Sequence, residues 1–240
     1  MCGRYTLTNP DPTKLARRFM LGESAVPKVE PRYNVAPTDP VLAIRRTGPG
    51  AREAGRLRWG LVPGRWAEKR SGRPLINARA EGLTRQPAFA ESFRERRCLI
   101  PADGFFEWRR DERGSLPFWI SRADGELFAF AGVWAALPAR ASGDGELLHS
   151  CAIVTTEPNE LIRPIHDRMP VILDPEAEAA WLDPDADEND LLALLAPIPA
   201  DLLALRPVSD AVNDVRNDDP GLLGPRAEEL ELLPHAARGE

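Results

Sequence analysis

The chain between residues 98 and 155 is a series of short apolar runs separated by Gly, Asp and Pro, and this pattern limits the fold more than any other feature. Each run is rich in aromatic and β-branched residues, which favour strands. Strands at this spacing predict an antiparallel sheet that curls or closes on itself. The runs cover residues 98–100, 105–109, 118–121, 127–134 and 148–155.

Shorter elements are predicted on both sides of this region. A helix is predicted at 9–21, where Asn9 or Asp11 can cap and Pro12 suits the first turn. The stretch 31–38, bounded by prolines, predicts a structured loop with little regular pairing. Further helices are expected at 88–97, 159–163, 176–182 and 191–195, and further strands at 41–46, 56–62, 170–173 and 205–209.

The fold class predicted from these elements is α+β. No internal repeat or convincing linker divides the chain, so one domain is expected over residues 1–224, followed by a frayed tail at 225–240. The expected core is barrel-like and antiparallel, with short helices around it. No apolar run approaches bilayer length and no signal peptide is apparent, so we expect a soluble protein of the cytosol.

The cysteines and histidines argue against a structural metal. Cys2, Cys98 and Cys151 are far apart and form no C-x-x-C pair, and the three histidines show no ligand spacing. Reduced thiols are therefore expected, with neither a metal nor a cofactor.

Charge is distributed unevenly along the chain. The net charge is −6, yet residues 1–120 hold 23 Lys and Arg against 13 Asp and Glu, a net +10, and the remainder carries −16. Nearly all the basic residues are arginines, which suit bidentate phosphate contact and stacking. The basic half is consistent with an anion-binding face, although a solvated charged surface or a GC-rich genome would give the same count.

Cys2 follows the initiator methionine directly. Removal of Met1 would leave one residue carrying both a thiol and a free α-amine, which are two nucleophiles on adjacent carbons. Reference pKa values of about 8 for the amine and about 8.5 for the thiol place both close to reactivity at neutral pH. A frayed terminus with no function is the competing interpretation.

Asn77 lies in the segment Ile76-Asn77-Ala78-Arg79-Ala80-Glu81. Strand alternation there places Asn77 and Arg79 on the side opposite Ile76 and Ala78, facing a cleft if the apolar pair faces the core. A turn residue or an inter-strand hydrogen bond would explain Asn77 equally well.

Glu107 lies among aromatic residues in Gly104-Phe105-Phe106-Glu107-Trp108, where desolvation would raise its pKa and suit it to acid or base catalysis. An exposed strand position is the alternative. His166, in His166-Asp167-Arg168-Met169-Pro170, suits proton transfer near neutral pH, whereas a capping or structural histidine is the alternative.

In order and number these motifs resemble those of the SRAP family, the SOS response-associated peptidases, whose members process abasic sites in single-stranded DNA. The resemblance covers most of the chain. Its motifs are Met1-Cys2-Gly3-Arg4, Tyr33-Asn34-Val35-Ala36-Pro37, Trp59-Gly60, Ile76-Asn77-Ala78-Arg79-Ala80-Glu81, Gly104-Phe105-Phe106-Glu107-Trp108 and His166-Asp167-Arg168-Met169-Pro170.

The resemblance implies a mechanism and a set of site residues. Cys2 would crosslink the abasic sugar as a thiazolidine, with the catalytic partners Asn77, Glu107 and His166 around it. One departure concerns the family's frequent second aromatic before the basic loop, where this chain has Arg65. The DNA-binding residues implied are Gly3, Arg4, Asn34, Pro37, Trp66, Arg79 and Arg168.

The partner implied is single-stranded DNA containing abasic sites, bound by a monomer in the bacterial cytosol and on the nucleoid. Three alternatives stay open at this point. One is a thiol autopeptidase of the same fold, and another is an N-terminal-nucleophile glutamine amidotransferase, which also begins with Cys-Gly. The third is a single-strand-binding module without covalent chemistry.

Overall fold

The computed structural model describes residues 2–22, 26–48, 50–63, 74–112, 114–137 and 148–225. Thirteen strands and four α-helices lie in these ranges. The helices are α1 (Pro12–Phe19), α2 (Ala90–Glu95), α3 (Pro175–Leu182) and α4 (Glu188–Ala193). The strands are β1 (Tyr5–Leu7), β2 (Arg32–Val35), β3 (Pro40–Gly48), β4 (Ala51–Trp59), β5 (Asn77–Arg79), β6 (Arg97–Ala102), β7 (Gly104–Asp111), β8 (Gly114–Arg122), β9 (Phe128–Leu137), β10 (Leu148–Thr156), β11 (Met169–Pro170), β12 (Ile172–Leu173) and β13 (Leu203–Pro207).

The strands form two sheets. A five-stranded sheet has the order β13-β8-β7-β1-β2, so that the amino-terminal strand β1 lies between β7 and β2. An eight-stranded sheet has the order β11-β10-β4-β3-β6-β9-β12, with β5 on β10 and an added pairing of β10 with β9. This last pairing makes the larger sheet ring-like, although it is not a closed barrel.

Most of the buried apolar residues lie in two layers. The layer between the sheets draws on both of them, with Tyr5, Phe105 and Ile120 from the smaller sheet and Phe130 and Ile153 from the larger. Tyr5 packs edge-on against Trp59 and Phe130, with ring centroids 5.5 and 5.7 Å apart. A second layer lies under the helices on the other face of the larger sheet. Cys2 belongs to the first layer, at the end of β1.

Helix α1 shows how local sequence signals set an element. The Asp11 side chain accepts a hydrogen bond from the Lys14 backbone amide, and Pro12 occupies the first turn. Leu15 and Phe19, four residues apart, are fully buried in the outer layer. The packing holds α1, and with it the segment leading back to β1, against the larger sheet.

The predicted α+β domain with a curled β core and short flanking helices is confirmed. The prediction of a purely antiparallel sheet is wrong in one respect, because β10 pairs in parallel with β4 and with β5. Each of these parallel pairings spans only two or three residues. Alternation of apolar and polar residues indicates a strand but does not show whether it pairs parallel or antiparallel with its neighbour.

Two local predictions are also wrong. The stretch 31–38 contains a strand, β2, because β1 supplies the hydrogen-bonding partner that the local sequence does not show. Residues 159–163 form a hydrogen-bonded turn and no helix. Pro164 has no amide hydrogen to continue helical bonding, and the Asn159 side chain instead accepts from the Ile162 amide.

Candidate active site

Cys2 is fully buried where the chain enters β1. Its backbone carbonyl accepts a hydrogen bond of 2.9 Å from the Asn77 side-chain amide, and its Sγ lies 3.9 Å from the Arg4 carbonyl. Because β1 is held between two strands, the start of the chain is fixed at the edge of the inter-sheet layer.

Glu107 lies next to Cys2 through the register of β1 and β7. Tyr5 pairs with Phe105, so antiparallel continuation brings Glu107 opposite Gly3. Only 2% of the Glu107 surface is exposed. Burial raises the pKa of its carboxyl from the usual 4.5 to about 7, with the positive charge of the chain's amino terminus acting in the opposite direction. Burial first, and then the Glu107 charge, raise the pKa of the Cys2 thiol.

Asn77 reaches the site because β5 lies beside β10. Ala78 is fully buried in the outer layer, so the side chains of Asn77 and Arg79 face the other way, as alternation predicts. The Asn77 Nδ2 is bonded to Cys2, whereas its buried Oδ1 has no hydrogen-bond partner among the described residues. A buried acceptor of this kind is available to a group on a bound ligand.

His166 is presented by the turn at 159–165. The Ile162 carbonyl accepts from both the Ile165 and the His166 amides, which ends the turn at the histidine. The ring Nδ1 lies 2.9 Å from the Arg168 amide nitrogen and 3.0 Å from an Asp167 carboxylate oxygen. Burial lowers the pKa of His166 below its usual 6.5, and the amino-terminal charge adds to this effect. The ring is therefore mostly neutral at pH 7.

A cleft of about 580 Å³ joins these groups. Two of the predicted catalytic residues, Glu107 and His166, line it directly. Cys2 lies beside Glu107, and Asn77 is bonded to Cys2. Its cationic side chains outnumber its carboxylates, and one of those carboxylates is Glu107, about half protonated near pH 7. The lining residues are Arg79, Glu107, Trp108, Arg110, Ile165, His166, Asp167 and Arg168.

The prediction that Asn34 contacts DNA is incompatible with its burial. Its side chain is fully buried, its Nδ2 donates to the carbonyls of Val212, Asp214 and Asn217, and its Oδ1 accepts from Arg4. These bonds hold the carboxy-terminal segment against β2, so Asn34 has a structural role.

The Arg4 side chain, like that of Asn34, is hydrogen-bonded to the carboxy-terminal segment. Its guanidinium donates to Asn34 Oδ1 at 2.9 Å, to the Val212 carbonyl at 2.8 Å and to the Asn213 carbonyl at 3.4 Å. It therefore connects the start of the chain to the carboxy-terminal segment. The guanidinium that was predicted to hold a phosphate already has three protein acceptors.

Arg168 was also predicted to hold phosphate, and it forms a bidentate ion pair with Glu81, at 2.8 and 3.1 Å. Arg79 is exposed in the cleft. Gly3 and Pro37 are half-buried, and Pro37 is not among the cleft-lining residues. Trp66 lies outside the described residues, so its stacking role stays a prediction.

Four cleft residues were missed from the sequence: Trp108, Arg110, Ile165 and Asp167. Asp167 and Trp108 immediately adjoin predicted catalytic residues, and Arg110 follows Glu107 by three positions. Arg110 is exposed, and its charge lowers the pKa values of both Glu107 and His166 as a minor contribution. The predicted strand ended at Arg109, whereas strand β7 continues to Asp111, so no sequence signal pointed to Arg110.

Within the described ranges, no three His, Cys, Asp or Glu side chains group so that they could hold a metal ion. In the same ranges no helix has the length and apolarity required to cross a bilayer.

Comparisons with known proteins agree on one family. A family model described as SOS response associated peptidase (SRAP) matches residues 1–215. The abasic site processing protein YoqW of Bacillus subtilis is 41% identical over 227 residues, covering 93% of this chain and 99% of that protein. The abasic site processing protein YedK of Escherichia coli is 32% identical over 230 residues, covering 94% of this chain and 100% of that protein. A crystal structure of a Bacteroides thetaiotaomicron protein superposes with a TM-score of 0.79 at 24% identity, covering 93% of this chain and 99% of that one. At this identity the likeness concerns the fold alone.

Proposed function

This chain belongs to the SOS response associated peptidase (SRAP) family, and we propose that it captures abasic sites in single-stranded DNA as a covalent thiazolidine on Cys2. The names of its relatives support abasic-site processing. The observation that carries the chemical proposal is the hydrogen bond between Asn77 and the Cys2 carbonyl, beside a cleft lined by Glu107 and His166. The reaction requires prior removal of Met1, which frees the α-amine of Cys2.

The sugar must first open. An abasic site equilibrates between a cyclic hemiacetal and an open aldehyde, and opening breaks the bond between C1′ and the ring oxygen. When His166 is neutral and its Nδ1 accepts from the Arg168 amide, the proton resides on Nε2. The Nε2–H of His166 then donates a hydrogen bond to the ring oxygen and stabilises the charge that develops there. The Glu107 carboxylate, or water, takes the proton of the C1′ hydroxyl and passes it to the ring oxygen as the bond from C1′ breaks.

The α-amine attacks before the thiol does. Burial and the Glu107 charge raise the pKa of the Cys2 thiol, so the thiolate is scarce at neutral pH. The amine adds to the C1′ aldehyde and one water leaves, which gives a Schiff base. Glu107, with a pKa of about 7, can take a proton from the amine and return it to the departing hydroxyl.

The thiol then closes the ring. Sulfur bonds to the imine carbon, the C=N double bond becomes single, and the thiol proton ends on nitrogen, with Glu107 as its carrier. The five-membered product has lost one water relative to protein and DNA. Two bonds join it to the sugar carbon, so it should outlast a simple imine.

DNA would be held mainly by Arg79 and Arg110. Both are exposed at the cleft, whereas Arg4 and Arg168 have protein partners. Contacts to phosphate give salt-sensitive affinity without sequence preference, which suits a ligand that is recognised by a missing base. Trp66 remains a proposed stacking residue, and the protein is proposed to act as a monomer.

The test uses a uracil-containing oligonucleotide treated with uracil glycosylase. The wild-type protein should give a denaturant-stable shifted band, and Cys2→Ala and Cys2→Ser should not. Both variants keep the α-amine, so borohydride should trap their Schiff bases. Intact mass must confirm Met1 removal in all three proteins. A stable band from Cys2→Ala without borohydride would contradict the proposal.

The same experiment separates the remaining alternatives. A single-strand-binding module would retain intact and abasic DNA equally and would leave no covalent product. A thiol autopeptidase would lose amino-terminal residues through Cys2 without forming a DNA adduct. The family match and the paired settings of Glu107 and His166 favour abasic-site capture over a glutamine amidotransferase.

A further inference from the structure

A network outside the predicted catalytic set leads to His166. Both Glu81 carboxylate oxygens accept from the Arg168 guanidinium, at 2.8 and 3.1 Å. The same guanidinium donates to the Thr155 carbonyl on β10 at 2.6 Å. The Arg168 side chain is only 11% exposed. Bidentate pairing with a planar fork fixes its orientation as well as its position.

The backbone of Arg168 contacts the catalytic candidate. Its amide donates to His166 Nδ1 at 2.9 Å. Strand β11 begins only at Met169, and the intervening Asp167 side chain is 83% exposed. Together with the bond from the His166 amide to the Ile162 carbonyl, the guanidinium therefore anchors the backbone of residues 166–168 and ties it to β10.

The ring nitrogen has competing partners. Besides the Arg168 amide, His166 Nδ1 lies 3.0 Å from Asp167 Oδ1 and 3.2 Å from the Arg168 carbonyl. An unprotonated Nδ1 accepts the hydrogen bond from the Arg168 amide. A protonated Nδ1 would instead donate to Asp167 Oδ1 or to the Arg168 carbonyl. The charges of Arg110 and of the amino terminus also act on this ring, and the other charged side chains that line the same cleft are Glu107 and Arg79.

We propose that Glu81 is a positioning residue for His166. It anchors the Arg168 guanidinium, and the Arg168 amide thereby holds the imidazole with Nδ1 as acceptor and Nε2 as donor. Loss of Glu81 loosens this anchor and lets the exposed Asp167 carboxylate compete for Nδ1. The ring then populates the tautomer with its proton on Nδ1, in which Nε2 has no hydrogen to donate to the sugar oxygen. This inference rests on the proposed role of His166 in crosslinking.

The test separates DNA affinity from the rate of crosslinking at saturating abasic DNA. Glu81→Ala and Glu81→Gln should lower the rate constant about tenfold, the low end of the loss that follows when a partner orienting a metal-binding histidine is removed. The dissociation constant for single-stranded DNA should change less than about twofold. Glu95→Ala, which removes an exposed carboxylate 3.5 Å from Arg96, is the matched control and should behave as wild type.

Two further readouts exclude a merely structural effect. Nitrogen-15 NMR of His166 at a pH where the ring is neutral should show the Nε2–H tautomer in the wild type and a mixture in Glu81→Ala. In a double-mutant cycle with Arg168→Ala, the double variant should be no slower than Arg168→Ala alone, because both changes remove one anchor. Thermal unfolding identifies any variant that has lost its fold, and Glu81→Gln preserves side-chain size.

The outcomes distinguish this inference from the proposed function. If His166→Ala slows crosslinking but the Glu81 variants match wild type in rate and tautomer, the positioning role is wrong and the proposed function stands. Tighter DNA binding by Glu81→Ala at an unchanged rate would mean that Glu81 only restrains Arg168 from phosphate, which also overturns it. A wild type without any adduct overturns both.

Discussion

Replacement of Glu107 by glutamine tests the electrostatics of the site. Glutamine has nearly the same shape but no charge, so the buried carboxylate is removed without opening a cavity. Glu107 has 2% of its surface exposed. Because burial disfavours the ionised form, the cost of ionising Glu107 in the folded protein should appear in the pH dependence of stability.

The magnitude follows from the pKa shift. The pKa of Glu107 is raised from 4.5 to about 7, and each unit corresponds to about 1.4 kcal/mol, so the ionised folded protein is destabilised by up to about 3 kcal/mol. Below pH 4.5 Glu107 is protonated in the folded and in the unfolded protein, so the fold keeps its full stability. As the pH rises from 4.5 through 7 the folded protein loses stability, because ionisation is easier in the unfolded chain. Between pH 5 and pH 8.5 the loss should be roughly 2.5 kcal/mol.

Urea denaturation of wild type and Glu107→Gln at these two pH values measures the effect. From pH 5 to pH 8.5, the stability of Glu107→Gln relative to wild type should rise by roughly 2.5 kcal/mol, since titrations that do not involve Glu107 are the same in both proteins. Crosslinking by Glu107→Gln should be slowed at both values, because glutamine cannot carry a proton. An equal stability difference at pH 5 and pH 8.5 would refute the raised pKa.

Four further variants probe the cleft and its support. Asn77→Ala should slow crosslinking on the order of 10²-fold, because the amide that positions the Cys2 carbonyl is lost, and single-turnover gels would measure this rate. Arg79→Ala and Arg110→Ala should each lower the slope of log affinity against log salt by about 0.7 in anisotropy titrations, with Arg122→Ala at the far end of β8 unchanged. Asn34→Ala should destabilise the fold by about 2 kcal/mol or more in urea, because three carbonyls lose a buried donor, and a cost under about 0.5 kcal/mol would contradict its structural role.

The site could be predicted where the sequence carries local signals. Glu107 lies among aromatic residues in an apolar strand, which predicted its desolvation, and His166 lies in a short polar motif with Arg168. The structural roles of Arg4 and Asn34 could not be predicted, because their partners lie 208 and 178 residues away in sequence. Only the fold brings the carboxy-terminal segment onto β2.

Secondary structure could likewise be predicted where its signals are local, and could not where it depends on distant strands. The cap and apolar spacing of α1 are local, and that helix was predicted within three residues at its amino-terminal end and two at its carboxy-terminal end. Strand β2 depends on β1, and the direction of β5 depends on β10, so tertiary pairing decides both. The ion pair between Glu81 and Arg168 likewise joins segments 87 residues apart.

The most direct measurement is the mass of the amino-terminal peptide after reaction with an abasic oligonucleotide and digestion of the DNA. Thiazolidine formation predicts a peptide that begins at Cys2, carries the sugar remnant with loss of one water, and resists alkylation at both its thiol and its α-amine. An adduct that keeps an alkylatable Cys2 thiol, or one attached at another residue, would contradict capture by the two adjacent nucleophiles of Cys2.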